Sequence, residues 1–477
     1  MHTETTPAVA PDARPWLTAG FLMLGTFMNI LDTTIVNLAL PAIRADLGAG
    51  PSALQWVLVV YVLTFGACLL PFGRFGDIFG RKRLFVLGLL GFVATSLAAG
   101  ATPNVGLLIA ARALQGFAAA AMAPQVLAII HGLFQEDERG KAIGLFGMVT
   151  ALGAVAGPVI GGAILSADLF ELGWRSIFLI NLPLGLIALL GALATLPGHD
   201  DPPVHGKADW IGSGLLALAL AALIYPMIEG RSLGWPLWLL ILPGLSAGLA
   251  LAFLRRQKRL ERRGRLQTLP PALLRQGSYV AGVGMVMVVI SGMAGTMVVL
   301  SIFLQSGLRL SPAEAGLAIA PHPISAMVAS LASSRLGSRR LPLRIFAGLL
   351  VLFAGLFWLR LASGNGTTWG DFVGPLLLIG GGSGTAIVAL FQFTLSQVSG
   401  PDAGAGTGGM QAFQQIGIAL GIAIIGQLFF GCLGVADDPA SYRSAMGAAL
   451  LYPVIGFGIL SLIALGNLQI GKDKHET

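Results

Sequence analysis

Runs of about twenty apolar residues, separated by short polar or Gly/Pro-rich stretches, recur along the whole chain. Each run is long enough to cross a hydrocarbon core as a helix. They lie at 16–41, 53–72, 83–102, 105–131, 141–166, 175–197, 209–229, 235–254, 278–304, 312–334, 344–362, 371–397, 406–431 and 445–470, which makes fourteen predicted spans. The pattern predicts an all-α integral membrane protein.

The polar stretches orient it. With the N-terminus placed in the cytoplasm, the inner loops collect most of the basic residues. Arg74, Arg81, Lys82 and Arg83 follow span 2, a dense run from Arg255 to Arg265 follows span 8, and Arg335, Arg339, Arg340 and Arg344 surround the loop after span 10. The outer loops hold only Arg44, Arg175, Arg231, Arg309, Arg360 and Arg443. This asymmetry satisfies the positive-inside rule with both termini in the cytoplasm. Gly73–Arg83, after the second span, and Ser334–Arg340, after the tenth, form a faint internal repeat. The expected organisation is a tail at 1–15, a six-helix bundle at 16–197, two extra helices and a basic linker at 198–277, a second six-helix bundle at 278–470, and a tail at 471–477. Parallel repeats of this kind place a substrate site between the halves near mid-membrane.

Composition agrees. Hydrophobic residues make up 55% of the 477 and charged residues only 11%, against about 25% charged in soluble domains. The net charge of +7 does not indicate a nucleic-acid partner, because the basic residues sit between apolar spans. They are an orientation signal, and the run Arg255–Arg265 is also placed to touch anionic lipid headgroups. Cys68 and Cys432 are expected to be small buried thiols. The polar start Met1–Pro15 lacks the pattern of a cleaved signal peptide, so the first span is expected to direct insertion and remain.

Charges inside lipid are costly and mark candidate function. Asp32 in span 1, Arg112 in span 4 and His322 in span 10 are the candidates. Asn29, Asp32, Thr33 and Asn37 fall within an arc of roughly 140° at 100° per residue, giving span 1 one polar face. Asp32 lies nine residues before Pro41, about 13 Å from the outer end, and Arg112 about 12 Å along the descending span 4. At matched depth the two can pair, either as a proton-coupling element or as a static fastener. His322, between Pro321 and Pro323, is either a titrating group or a hydrogen-bonded structural one. In the second half, Gln411, Gln414 and Gln415 share an arc of roughly 100°, and Met285, Met287, Met293 and Met297 enrich span 9. These residues either line a cavity or pack a core. Gly153, Gly157 and Gly161 recur at four-residue spacing beside Pro158, a smooth face for a closely approaching helix.

Several stretches together carry a family resemblance. Leu31–Pro41 reads L-D-T-T-I-V-N-L-A-L-P. Gly73–Arg83, G-R-F-G-D-I-F-G-R-K-R, has the form G-x-x-x-D-x-x-G-R-K. Arg112, Gln115 and Gly116 stand in R-A-L-Q-G-F-A-A-A, and Gly153, Gly157, Pro158, Gly161 and Gly162 in G-A-V-A-G-P-V-I-G-G. Trp174–Gly185 reads W-R-S-I-F-L-I-N-L-P-L-G. In this order the chain resembles the fourteen-helix drug:proton antiporters of the major facilitator superfamily. The resemblance implies a bacterial cytoplasmic-membrane exporter of lipophilic drugs, cationic ones included, working by alternating access. Asp32, Arg112 and His322 would serve proton coupling. Asn29, Thr33, Asn37, Gln115, Met293, Met297, Gln411, Gln414 and Gln415 would line the cavity. Gly73, Asp77, Gly80, Arg81 and Lys82 would form a cytoplasmic latch, and the glycines of span 5 would gate.

No nucleotide loop of the form G-x-x-x-x-G-K-[ST], no H-E-x-x-H and no metal-spaced Cys/His cluster occurs in the sequence. The expectation is therefore a transporter and not an enzyme, with no cofactor or metal and the proton gradient as its energy source. It is expected to act as a monomer, and nothing in the sequence calls for a periplasmic adaptor. The rival readings are a metabolite importer on the same fold and a non-transporting membrane receptor or scaffold.

Overall fold

The computed structural model describes residues 14–196, 209–265, 267, 269–337, 339–365, 368–396, 398, 403–434 and 438–476. Most of the N-terminal tail and much of the connection into the seventh span thus lie outside the described residues. Among those described there is no strand, and fourteen helices are long and apolar enough to cross a membrane. In order these are α1 (Pro15–Leu47), α2 (Pro51–Phe79), α3 (Arg81–Gly100), α4 (Val105–Leu133), α5 (Glu138–Ala167), α6 (Gly173–Thr195) and α7 (Trp210–Glu229). They continue with α8 (Leu237–Arg262), α9 (Gly277–Gly307), α10 (Pro312–Arg335), α11 (Leu341–Gly364), α12 (Trp369–Leu395), α13 (Gly406–Leu433) and α14 (Pro439–Gly466).

Local chemistry sets the ends. Pro15 and Pro51 open α1 and α2, where the missing N–H costs nothing and φ is preset for a helix. The Asn104 side chain caps α4 by accepting from the Leu107 amide at 2.9 Å. Pro41 does not end the first helix as expected; α1 runs six residues further, to a left-handed Gly48. Proline removes the bond to the carbonyl four residues earlier, and that carbonyl, Asn37, accepts from Ser301 Oγ of α9 at 2.9 Å instead. Leu38 O likewise accepts from Gln305 Nε2 at 3.1 Å. Gln305 lies in the π-helical last turn of α9, Phe303–Gly307.

Helix pairing shows the internal repeat. In the first half α4 packs on α2 and α3, α1 on α5 and α6, and α3 on α6. In the second half α12 packs on α10 and α11, α9 on α13 and α14, and α11 on α14. The halves meet along α2–α13, α5–α10 and α1–α9. The hairpin α7–α8 packs by α7 against both α2 and α13. The Gly380–Gly384 stretch of α12 is a packing surface: a Cβ on Gly380 would lie 2.1 Å from the His322 carbonyl oxygen and one on Gly382 2.5 Å from the Leu352 nitrogen.

At the outer side Trp56 Nε1 donates to Glu229 Oε1 at 2.8 Å, and Arg231 donates to the Phe430 carbonyl. The end of α7 thus holds α2 with one side chain and α13 with the other. Cys68 is half-buried, but Cys432 is exposed, contrary to expectation, because it lies on the side of the last turn of α13 away from the core that Phe429, Phe430 and Leu433 join.

Candidate functional site

Asp32 is fully buried and Arg112 is 1% exposed. On their apolar helices the charges are met by each other, by a few amides and by an aromatic ring. Arg112 Nη1 donates to Asp32 Oδ2 at 2.5 Å and to Gln115 Oε1 at 2.6 Å. Its Nε donates to the Val57 carbonyl at 3.2 Å, and its Cζ lies 4.2 Å from the centre of the Tyr61 ring, a cation–π contact. Asp32 Oδ1 accepts from Gln115 Nε2 at 3.0 Å and from Asn181 Nδ2 at 3.2 Å. Ser96 Oγ accepts from the same two amides at 2.8 and 3.3 Å. Tyr61 donates to Asn29 Oδ1 at 2.7 Å. One polar cluster thus joins α1, α2, α3, α4 and α6 in the middle of the first half.

Every hydrogen bond on the carboxylate is donated to it, so a proton arriving there competes with those donors for the negative charge. Asn181 Oδ1 has no hydrogen-bond partner. It is the free acceptor beside the acid, and a turn of the amide would offer it to a protonated carboxyl. Of this cluster, Asp32, Arg112, Gln115 and Asn29 were legible in the sequence. Ser96, Tyr61 and Asn181 were not singled out, although Asn181 stands within the Trp174–Gly185 stretch that carried part of the resemblance. Asn29 and Gln115 are engaged in this cluster and buried, so they do not stand open to a cavity.

Thr33 is half-buried and returns its hydroxyl to the Ile30 carbonyl at 2.8 Å. Asn37 meets α9 through its backbone, as described. The other candidates lie on the second half. Met293 is buried, and Met297 packs half-buried against the core. Gln411, Gln414 and Gln415 are half-buried; Gln415 lies over Gly66 of α2, its Cβ 2.7 Å from where a Cβ on that glycine would be. His322 is half-buried and its Nε2 has no hydrogen-bond partner.

The span-5 glycines have two different partners. Gly153, Gly157 and Gly161 receive α1, with Ile30, Thr34 and Ile35 filling the space a Cβ would take. Gly162 faces the Pro312 carbonyl oxygen of α10, 2.6 Å from its ideal Cβ position, and Gly316 of α10 faces the Pro158 carbonyl oxygen at 2.2 Å. The Ala313 amide donates to Ser166 Oγ at 3.0 Å. Helix α5 is therefore wedged between the helix that carries Asp32 and the other half. Its close contacts with α10 are at the outer end, and a Cβ on Gly140, Gly144 or Gly147, further in, would meet nothing within 4 Å.

At the cytoplasmic α2–α3 turn, Gly80 takes φ +96°, a value that glycine adopts without strain. Arg81 Nη2 reaches Asp77 Oδ1 at 3.1 Å, its Nη1 reaches the Ala128 carbonyl at 3.0 Å, and Lys82 Nζ reaches the Leu196 carbonyl at 2.6 Å. Gly73 lies over Pro124. Among the described residues, the bonds of Asp77 stay within the first half. Glu314 and Asp371 are exposed at outer helix ends and close capping boxes with Ser311 and Thr368. No group of His, Cys, Asp and Glu among the described residues could hold a metal ion.

The sequence model of the Major Facilitator Superfamily matches residues 22–422. The chain is 39% identical over 449 residues to a probable actinorhodin transporter of Streptomyces coelicolor, covering 92% of this chain and 78% of that protein. It is 35% identical to a puromycin resistance protein of Streptomyces alboniger, over 98% of this chain and 92% of that one. A tetracenomycin C resistance and export protein of Streptomyces glaucescens is 31% identical, with 91% and 81% covered. In fold, the structure resembles the crystal structure of a bacterial homologue of the human lysosomal transporter Spinster. The TM-score is 0.67 at 16% identity, over 96% of this chain and 99% of that one.

Proposed function

This chain belongs to the Major Facilitator Superfamily, as a multi-pass membrane transporter and not an enzyme, and we propose that it exports lipophilic toxic compounds in exchange for protons. The export relatives support the direction and the substrate class. The coupling rests on one observation: a buried carboxylate and guanidinium, Asp32 and Arg112, on helices that bear on α5, the wedge to the second half.

A proton entering from outside loads Asp32 and weakens its hold on Arg112, and the free Asn181 oxygen accepts the new O–H. The small rearrangement of α1 passes to α5 through the Ile30–Gly153, Thr34–Gly157 and Ile35–Gly161 contacts, and from α5 to α10 through the Gly162–Pro312 seam. Neutral or monovalent lipophilic compounds enter from the cytoplasmic side between the halves, where the half-buried glutamines of α13 and methionines of α9 supply adaptable contacts. Substrate and proton exclude each other. Asp77 and its turn act as a cytoplasmic latch, released in one state and engaged in another. No resident cofactor takes part; the proton gradient supplies the energy.

Inverted vesicles holding the full-length protein test this. With an imposed inside-acid gradient, a panel of lipophilic toxic compounds is offered outside and their uptake measured. The wild type is expected to accumulate at least one of them uphill, and collapse of the gradient is expected to abolish the uptake. Asp32→Asn, checked for monodispersity, is expected to lose accumulation while retaining counterflow of the same compound. Undiminished uphill transport by this variant would remove Asp32 from the mechanism, and gradient-independent equilibration by the wild type would leave a facilitator.

A further inference from the structure

The cytoplasmic ends of α7 and α8 enclose a groove of about 370 Å³. Its floor is apolar, with Ile211 and Leu215 of α7 opposite Ala252 of α8, and its rim is basic, with Arg255, Arg259 and Arg263. The three arginines recur every four residues, Arg255 and Arg259 on one face of α8 and Arg263 just past its end, as a ladder roughly 12 Å long. All three are exposed. Arg256, also at the groove, is already committed: its Nε donates to Asp209 Oδ1 at 2.6 Å. Asp209 further accepts from Gln257 Nε2 at 2.9 Å and caps α7, and the other nearby acid, Glu261, takes Arg275. Among the described residues, no carboxylate is left for Arg255, Arg259 or Arg263.

We propose that this groove is a binding site for an anionic phospholipid of the cytoplasmic leaflet, its phosphate held by the arginine ladder and its acyl chains laid on Ile211, Leu215 and Ala252. Charge selects the headgroup. The guanidinium fork matches phosphate oxygens two at a time. The apolar floor selects a lipid over a free anion, which would gain nothing from it. The groove opens toward the bilayer: Ile211 is 62% exposed, and only 11% of the apolar window of α8 is buried against the rest of the protein. Trp210, at the same level, is half-exposed, as befits a residue at the headgroup boundary. The Asp209–Arg256–Gln257 bonds fix the two helix ends relative to each other, so the groove is built before a lipid arrives.

The full-length protein, delipidated in a neutral detergent, is titrated with phosphatidylglycerol or phosphatidylcholine and read by native mass spectrometry, with inorganic phosphate as competitor. About tenfold tighter retention of phosphatidylglycerol is expected, with little displacement by phosphate. Arg255→Gln/Arg259→Gln/Arg263→Gln should abolish that preference. Ala252→Trp keeps every charge, and with it the membrane orientation, but fills the floor; it should lower phosphatidylglycerol retention to the phosphatidylcholine level. Equal retention of the two lipids by the wild type would overturn the proposal. So would a preference that survives both variants. Efficient displacement by phosphate, together with an unaffected Ala252→Trp protein, would make this a plain anion site and overturn the lipid assignment.

Discussion

Substituting Gly162 with alanine puts a methyl group 2.6 Å from the Pro312 carbonyl oxygen and 3.0 Å from the Ala313 Cα. Both are backbone atoms, and neither can turn aside. To restore a contact distance of about 3.5 Å, α5 and α10 must separate by nearly 1 Å at their outer ends. Overpacking of this kind costs about 1–3 kcal/mol. The cost falls only on arrangements in which the outer ends of α5 and α10 touch; a state with the outer seam open escapes it. The ratio of closed to open outer seams should therefore fall by about 5–150-fold. Gly88→Ala is the control. Its methyl group meets the Met122 nitrogen at 2.8 Å and the Ala118 carbonyl oxygen at 3.0 Å, between α3 and α4 of the first half, so it strains that half without bearing on α5. Spin labels at Ala45 and Ala440, introduced after Cys68 and Cys432 are replaced, report the gap between the outer ends of the halves. A longer distance population is expected for Gly162→Ala and not for Gly88→Ala. An unchanged distribution in the first variant, or an equal change in both, would refute the claim that this seam sets the state.

The Asp32–Arg112 pair predicts a double-mutant signature. Breaking a buried pair by removing one partner costs about 3–5 kcal/mol, so Asp32→Asn and Arg112→Gln should each lower the melting temperature, while the double variant recovers much of the loss and still fails at uphill transport; single variants as stable as the parent would show the pair to be idle. Asp77→Ala should slow turnover with little loss of substrate affinity, and normal turnover with lost binding would contradict a latch. Among acids on the described helices, Glu314 and Asp371 are used at outer caps and Glu229 is bound to Trp56, which leaves Asp32 as the one acid at mid-depth. Matched mono- and dicationic dyes should therefore show faster export of the monocation, and a preference for the dication would reveal a further acid in the path.

The fourteen spans were legible because a run of twenty apolar residues admits almost no other structure in lipid. The Asp32–Arg112 pair was legible for a similar reason: with so few charges in the spans, two at equal depth are drawn together. The helix ends were less so. Pro41 reads as a stop, yet the carbonyls it affects are taken up by Ser301 and Gln305 of a helix far along the chain, which no local rule detects. Ser96 and Asn181 were hidden because a single polar residue on an apolar helix does not say which neighbour it serves. Asp209 and Gln257 were missed since the basic run beside them looked complete as an orientation signal. The stripe Gly153, Gly157 and Gly161 correctly indicated a close neighbour, but its identity, α1 of the same half, depended on the way the bundle winds.

The outer hold of α7 on Trp56 and Phe430 has a bearing on where cargo comes from. Two bundles that rock against each other have two edges open to the bilayer, along α2–α13 and along α5–α10. Here the hairpin shutters the first edge, with Glu229 and Arg231 bracing its outer end and α7 lying along both helices. For the exporter proposed above, compounds dissolved in the membrane would be left the α5–α10 side as their doorway, and their traffic would be one-sided around the protein's circumference as well as across the membrane.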